Sequence, residues 1–196
     1  MTAPRCATTL YDRTLREWEA QRGDLWLFAY GSLIWKTEFE VAERRMARVH
    51  GHHRALQMWS RVNRGTPERP GLVLALLSGG SCRGMALRVR AELVPDMFPA
   101  LWAREMPNPI YDPKWLRCQT EQGEVNALAF TLSRHSPNFT GRLSDARYRD
   151  IFAHSCGRYG STLDYARLTC EHLRAIGIRD AELERVVALN LTPTRP

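Results

Sequence analysis

Apolar and polar side chains cluster or alternate in short segments over the first two thirds of the chain, a pattern that predicts β-strands. Residues 25–30 are a run of large apolar and aromatic side chains, which is typical of a buried strand. Further strands are predicted at residues 45–60 (one or two strands), 72–77, 85–89, 114–119 and 125–132. Because Gly79 and Gly80 lie between two of these segments, we expect residues 72–89 to form a hairpin with a glycine turn.

Apolar residues at three- and four-residue spacings predict helices near the start of the chain and throughout its last third. The first helix is predicted over residues 8–21, before Gly23, and the later ones over residues 145–156, 162–176 and 180–190. Strands that come first and helices that come late predict an α+β fold, with a mostly antiparallel, barrel-like β-sheet, flanking helices and a helical C-terminal part. A length of 196 residues suits a single domain.

Composition narrows the class of protein. Hydrophobic residues make up 44% of the chain and charged residues 25%, close to the average of soluble globular proteins. No apolar run approaches the roughly 18 residues of a membrane helix, and the N-terminus has no signal-peptide core. The five cysteines, an odd number without close pairing, fit a reducing compartment: Cys6, Cys82, Cys118, Cys156 and Cys170. We therefore expect a cytoplasmic protein with no membrane partner.

A net charge of +7 raises the question of nucleic-acid binding. The arginines are spread along the chain rather than gathered in one stripe, and no nucleic-acid-binding motif accompanies them. We therefore expect no nucleic-acid partner. A scattered basic excess attracts any anion, including a small peptide that carries carboxylates.

Two clusters of reactive side chains carry weaker predictions. His50, His52 and His53 do not have a spacing typical of metal ligands, so we expect no metal site there. His154 and Cys156 are two residues apart in a predicted helix and would point to different faces. We therefore expect Cys156 to be a buried structural cysteine rather than an activated nucleophile.

The predicted strand at residues 25–30 runs directly into Gly31 and Ser32. A buried strand that ends in Gly-Ser makes an abrupt turn where the backbone can approach a ligand closely. Successive N–H groups in such a turn can hold a carboxylate. The residues by themselves also fit an ordinary strand and turn, and they fit that reading better.

The segment at residues 93–106 presents a carboxylate at helical spacing from apolar residues. Glu105 lies four residues after Leu101 and three after Trp102, so in a helix its side chain continues the apolar stripe. Pro99 limits the prediction, because it must lie in the first turn or kink the helix.

A carboxylate on a buried helix face needs a partner or a raised pKa. The alternative for Glu105 is a residue at the helix end that turns into water or pairs with Arg104 or Lys114. The residues alone favour this second interpretation.

Two blocks of the sequence resemble the γ-glutamylcyclotransferase superfamily. Residues 30–33 (Tyr-Gly-Ser-Leu) match its YGSL signature, and Ile-Trp-Lys at 34–36 extends the signature in the form typical of the ChaC branch. Residues 64–71, Arg-Gly-Thr-Pro-Glu-Arg-Pro-Gly, are similar to the second block of that branch. The likeness runs from about residue 24 to 190, which would be the core of one domain over residues 1–196.

The resemblance implies a γ-glutamylcyclotransferase-like fold and a lyase that converts glutathione to 5-oxoproline and Cys-Gly without a cofactor or metal. It implies that Glu105 is the catalytic general base, because the family carries its glutamate in this helix. It also implies a set of substrate-binding residues: Tyr30, Gly31, Ser32, Leu33, Arg64, Tyr111 and Tyr165. We expect a monomer, since nothing in the sequence indicates a large exposed apolar face.

The chain departs from the family pattern after Glu105, where Met-Pro-Asn-Pro-Ile-Tyr at residues 106–111 has no glycine before the tyrosine. The two prolines stiffen this loop, which leaves the role of Tyr111 and the substrate preference open. Alternatives are a cyclotransferase for other γ-glutamyl amino acids or amines, and a non-catalytic module that binds γ-glutamyl groups. A structural salt bridge for Arg64 and helix packing for Tyr165 also stay open.

Overall fold

The computed structural model describes residues 7–107 and 109–190, which form two compact units. The first unit contains residues up to 53 together with 78–133, and the second contains residues 54–77 together with those from 134 onward. The prediction of a single domain over residues 1–196 stays a prediction.

Strands come first and helices late along the chain, as predicted. The elements up to residue 131 are α1 (Ala7–Gln21), β1 (Leu25–Ala29), a 3₁₀ turn (Ser32–Ile34), β2 (Glu43–Ser60), β3 (Gly71–Val89), α2 (Val94–Glu105), β4 (Asp112–Thr120) and β5 (Gly123–Thr131). The later elements are α3 (Asp145–His154), β6 (Cys156–Gly157), β7 (Gly160–Ser161), α4 (Thr162–Ala175) and α5 (Ala181–Ala188). Residues 54–60 of β2 and 71–77 of β3 belong to the second unit.

Five strands form a closed barrel in the order β1-β3-β2-β4-β5. β1 pairs antiparallel with β3, β2 with β4, and β4 with β5. The barrel closes where β1 meets β5 in parallel, with Leu27 opposite Leu128. Side chains on both faces of β1 are buried, which explains why its sequence is a continuous apolar run rather than an alternating one. The predicted α+β class with a mostly antiparallel, barrel-like sheet is therefore confirmed.

The hairpin predicted at residues 72–89 is wrong, because these residues lie in one continuous strand, β3. Gly79 and Gly80 lie within that strand with φ of +97° and +74°. A positive φ at glycine can mark a bulge or bend inside a strand as well as a tight turn. A hairpin turn and a bend within one strand can have the same glycines in their sequence. The two are distinguished only by which strands pair with the residues before and after the glycines.

Helix α2 carries four buried residues on one face, Val94, Phe98, Leu101 and Trp102, at the spacing of an amphipathic helix. Pro99 lies in the interior of this helix and not in its first turn. The helix nevertheless continues to Glu105, the last residue before the loop that leads to β4.

The three helices described in the second unit each begin at a residue whose side chain caps the helix. Ser144, Ser161 and Asp180 accept hydrogen bonds from backbone N–H groups of α3, α4 and α5. Asp180 also pairs with Arg54 at 2.8 Å, where the arginine side chain is only 3% exposed. One carboxylate therefore caps α5 and neutralises a buried cation from β2.

The expectation of a helical, buried Cys156 is wrong. Helix α3 ends at His154, and Cys156 is an exposed residue of β6. Cys156 pairs with Ser161, and Gly157 with Gly160, in an antiparallel bridge to β7. Gly157 also packs so closely that a Cβ there would lie 2.5 Å from the Val62 carbonyl oxygen. Cys82, Cys118 and Cys170 are buried, and Cys6 lies outside the described residues. Within the described ranges, no helix is long and apolar enough to cross a membrane.

We expect Gly84→Ala to destabilise the first unit, because the new Cβ would lie 2.3 Å from the Ala29 carbonyl oxygen and 3.0 Å from the Phe28 ring. Overpacking of this kind typically costs about 1–3 kcal/mol. Gly23→Ala is the matched control, since a Cβ there meets nothing within 4 Å, and it should change the free energy of unfolding by less than about 1 kcal/mol. Urea unfolding of both variants measures the difference, and equal stabilities would contradict the contact.

Candidate active site

Tyr30 follows directly after strand β1 and lies at the start of a tight turn. Tyr30 is 9% exposed, and its hydroxyl donates a 2.8 Å hydrogen bond to the carbonyl of Phe130 at the end of β5. The chain then forms a 3₁₀ turn, in which Ile34 N–H donates to the Gly31 carbonyl at 2.9 Å. Leu33 is buried and Ser32 is half-buried. The Tyr30 bond therefore fixes the start of the turn to the barrel.

Glu105 ends α2 with its side chain 17% exposed, following Leu101 and Trp102, which are buried. Burial raises the pKa of Glu105, the positive charge of Arg104 lowers it, and the negative charge of Glu38 adds to the rise. The position on the apolar stripe is confirmed. The alternative pairing with Arg104 is also present, because Arg104 Nε lies 3.3 Å from Glu105 Oε1.

The same Arg104 side chain contacts the turn after β1. Its Nη2 donates to Ser32 Oγ at 3.1 Å and its Nη1 to the Lys36 carbonyl at 2.6 Å. The structure thus brings Ser32 and Glu105 together through one guanidinium, although 72 residues separate Ser32 from Arg104. Sequence reasoning considered Arg104 only as a partner of Glu105 and missed its contact with Ser32.

Five aromatic side chains, two of them from α2, pack together and are called the aromatic wall: Tyr11, Phe98, Trp102, Tyr111 and Phe130. Trp102 lies 5.6 Å from Phe98, 5.4 Å from Tyr11 and 6.0 Å from Phe130 between ring centroids. Tyr111 is 8% exposed and lies 6.3 Å from Phe130. The loop after Glu105 therefore returns its tyrosine to the same wall, and the described part of this loop lacks only Asn108.

Arg64 and Tyr165 meet in the second unit. The Arg64 guanidinium carbon lies 4.9 Å above the Tyr165 ring, and Arg64 Nη1 donates to the Tyr159 carbonyl. Burial lowers the pKa of Arg64, while the charges of Tyr165 and Asp164 oppose that effect. The structural salt bridge considered for Arg64 is not formed: within the described residues its guanidinium bonds the Tyr159 carbonyl and lies over the Tyr165 ring. Tyr165 is buried on α4, and its hydroxyl accepts a hydrogen bond from Leu74 N–H.

The glycines of the second block hold the backbone around Arg64. A Cβ at Gly65 would lie 2.1 Å from the Gly71 nitrogen, and one at Gly71 would lie 2.0 Å from the Arg64 carbonyl oxygen. Thr162, at the start of α4, accepts from Leu72 N–H at 2.9 Å beside these contacts. Backbone segments approach too closely for any side chain, which explains why both positions are glycine.

Metal ligands are not clustered in the described ranges, where no group of three or more His, Cys, Asp and Glu side chains could hold an ion. Of the histidine cluster, His50 lies 3.0 Å from the Gln119 side-chain oxygen and His53 lies 2.8 Å from the Gly79 carbonyl. Burial lowers the pKa of His52.

A family model described as ChaC-like protein matches residues 25–191. The chain belongs to the ChaC family. Among relatives of this ChaC-family chain, the glutathione-specific gamma-glutamylcyclotransferase of Escherichia coli (strain K12) is 31% identical, over 81% of this chain and 69% of the relative. Glutathione-specific gamma-glutamylcyclotransferase 1 of Rattus norvegicus is 29% identical, over 83% of this chain and 77% of the relative.

A solved structure supports the fold of this ChaC-family chain. The glutathione-specific gamma-glutamyl cyclotransferase from yeast superposes with a TM-score of 0.78, covering 87% of this chain and 96% of the yeast chain. At 18% identity the likeness concerns the fold alone. It agrees with the barrel and helices described above.

We expect Glu105→Gln to stabilise the protein at neutral pH. Because burial raises the pKa of Glu105 above 4.5, the folded state holds this proton more tightly than the unfolded chain. The stability from that proton is complete below about pH 4.5 and is lost as the pH rises through the folded-state pKa. Because glutamine carries no charge at any of these pH values, the variant does not lose this stability. Chemical unfolding should therefore show a more stable variant at pH 8 and nearly equal stabilities at pH 4, whereas parallel pH profiles would contradict the buried carboxylate.

Proposed function

We propose that this ChaC-family chain is a γ-glutamylcyclotransferase that cleaves glutathione to 5-oxoproline and Cys-Gly, with Glu105 as general base. The supporting observation is a largely buried carboxylate, joined through Arg104 to the Tyr-Gly-Ser-Leu turn. The substrate is inferred from relatives that carry the name glutathione-specific gamma-glutamylcyclotransferase.

The reaction is an intramolecular aminolysis. The α-amine of the γ-glutamyl group attacks its own γ-carbonyl, which closes the five-membered lactam 5-oxoproline, and the bond to the cysteine nitrogen breaks. Atoms balance without water, nucleotide or metal. Because nucleophile and electrophile belong to one molecule, the protein mainly has to hold a reactive conformation.

Proton transfer is the chemical contribution required from the protein. The α-ammonium has a pKa near 8 in model compounds and is mostly unreactive at neutral pH. Glu105 would take a proton from it and deliver a proton to the departing cysteine nitrogen. Burial raises the pKa of Glu105, which makes it a stronger base than an exposed glutamate.

Substrate contacts in the first unit are assigned to the turn and the aromatic wall. Residues 30–33 are proposed to hold the glutamyl α-carboxylate, with the Ser32 hydroxyl as a donor and backbone N–H groups facing the developing oxyanion. Tyr30 is fixed by its bond to Phe130, which keeps the turn in place as charge develops. Tyr111 is proposed to contact substrate from the same wall.

Arg64 and Tyr165 are proposed as further substrate-binding residues. Arg64 is a cation without a carboxylate partner among the described residues, and its guanidinium is held by Tyr165 and the Tyr159 carbonyl. A held guanidinium suits a carboxylate, and the glycine end of glutathione carries one. We further propose that the protein acts as a cytoplasmic monomer without a cofactor or a nucleic-acid partner.

Glu105→Gln is expected to lower kcat/KM for glutathione by about 10²–10⁴-fold, the usual contribution of general acid–base catalysis. Mass spectrometry should detect 5-oxoproline and Cys-Gly at equal rates from the wild-type protein. Glu124→Gln is the control, because Glu124 is an exposed residue of β5 that pairs with Arg117 at 3.8 Å.

Two outcomes would contradict this assignment. Full turnover by a folded Glu105→Gln protein would remove Glu105 from the role of base. A wild-type protein that turns over γ-glutamyl amino acids or amines but not glutathione would favour the broader cyclotransferase, and binding without product from any of them would favour a non-catalytic module.

Arg64→Gln should discriminate between substrates with and without a glycine carboxylate. Loss of a charged hydrogen bond of about 1.5–3 kcal/mol predicts a roughly 10–100-fold lower kcat/KM for glutathione. The value for γ-glutamylcysteine should change little. Arg61→Gln, at an exposed arginine that bonds Asn138 at 2.8 Å, is the control. Equal losses on both substrates would overturn the proposed contact.

A further inference from the structure

Arg104 makes contacts that go beyond neutralising Glu105. Its guanidinium lies 3.3 Å from Glu105 Oε1, 3.1 Å from Ser32 Oγ and 2.6 Å from the Lys36 carbonyl oxygen. A fourth group, Glu38 Oε2, lies 3.7 Å away. The side chain is 22% exposed, so it lies mostly within the protein. All three guanidinium nitrogens are engaged, and they join the end of α2 to the turn after β1.

We infer that Arg104 is a positioning residue that sets the hydrogen-bonding direction of two groups at once, with the Ser32 hydroxyl turned outward as a donor and the Glu105 carboxylate held as an acceptor. The inference rests on the proposed cyclotransferase reaction, which needs a donor for the glutamyl α-carboxylate and an acceptor for the ammonium proton.

The effect on Ser32 follows from the chemistry of a hydroxyl. A serine oxygen that accepts from a guanidinium has its lone pairs directed toward that cation, so its own O–H points away. Among the described residues the Ser32 hydroxyl donates to no protein acceptor. A hydroxyl that accepts a charge-assisted bond is also a better donor, because chains of hydrogen bonds polarise one another.

The effect on Glu105 is electrostatic and geometric. Two charged groups act on this carboxylate within the described part of the chain: Arg104, and Glu38, which is itself paired with Lys36 at 3.2 Å. Burial raises the pKa of Glu105, and Arg104 opposes that rise, so the base remains ionised at a lower pH. The Nε contact also holds one carboxylate oxygen, Oε1, at 3.3 Å.

Arginine is required for this arrangement because its donors form a rigid planar fork. Nε faces Glu105, Nη2 faces Ser32 and Nη1 faces the Lys36 carbonyl. A lysine ammonium at the same position would carry the charge as a point and could not hold all of these directions. Charge and geometry can therefore be separated by substitution.

The decisive test is a ¹³C NMR titration of labelled glutamate carboxyl carbons, with the Glu105 signal assigned by its loss in Glu105→Gln. Arg104→Gln should raise the pKa of Glu105 above its wild-type value, while Arg104→Lys should leave it close to that value. An unchanged titration in Arg104→Gln would overturn the inference. This measurement needs no turnover, so it decides the coupling even if the proposed reaction fails.

Enzyme kinetics test both proposed effects of Arg104, the one on Glu105 and the one on Ser32. In Arg104→Gln, kcat/KM should fall roughly tenfold more at low pH than at high pH, because less of Glu105 is ionised. Arg104→Lys should lower kcat at all pH values. When it is combined with Ser32→Ala, the loss should be close to the larger single loss, as expected for residues that act as one unit.

Arg117→Gln is the matched control, since Arg117 is a β4 arginine that is 84% exposed and pairs with Glu124 at 3.8 Å. It should leave the titration of Glu105 and the pH profile unchanged. A purely structural role of Arg104 would instead give Arg104→Gln the same loss of activity at every pH, and would make the losses of Arg104→Lys and Ser32→Ala additive. Either result would overturn the inference.

Discussion

Burial of the Glu105 carboxylate is the constraint on which the rest of the site depends. The apolar face of helix α2 packs against Tyr11 and Phe130, and Glu105 continues that face at the end of the helix. A charge held there costs desolvation free energy, which raises the pKa of the group. The fold thus gives up some stability at neutral pH, and the base proposed here is stronger than an exposed glutamate.

Arg104 lowers the free-energy cost of burying the Glu105 carboxylate. Without a cation nearby, burial would raise the pKa of such a carboxylate further, and a protonated carboxyl is not a base. The guanidinium offsets part of the cost and, through its bond to Ser32, ties the glutamate helix to the turn after β1. Stability, protonation and geometry are therefore set by the same few contacts.

Close packing of the backbone holds the main chain around Arg64. Gly65 and Gly71 allow segments of main chain to approach to distances that no Cβ could occupy. The guanidinium is then held by a ring face and a carbonyl instead of by a carboxylate. A cation fixed in this way keeps its capacity to bind an anion, because it is not already neutralised.

Local patterns in the sequence determined several secondary structure elements, the position of Glu105 and the family. The buried strand before Gly31 follows from a continuous apolar run. The late helices and the position of Glu105 on an apolar stripe follow from spacings of three or four residues. The Tyr-Gly-Ser-Leu block indicated the family before any fold was known.

Only the tertiary structure decided which distant segments meet. The glycines at 79 and 80 predicted a turn, but strand pairing made β3 continuous. The spacing around Cys156 predicted a helix, but pairing with Ser161 makes it a strand residue. Likewise the bonds from Arg104 to Ser32 and from Tyr30 to Phe130 join residues 72 and 100 positions apart. Such contacts depend on strand register and helix packing, and the periodicity of a single segment contains no information about either.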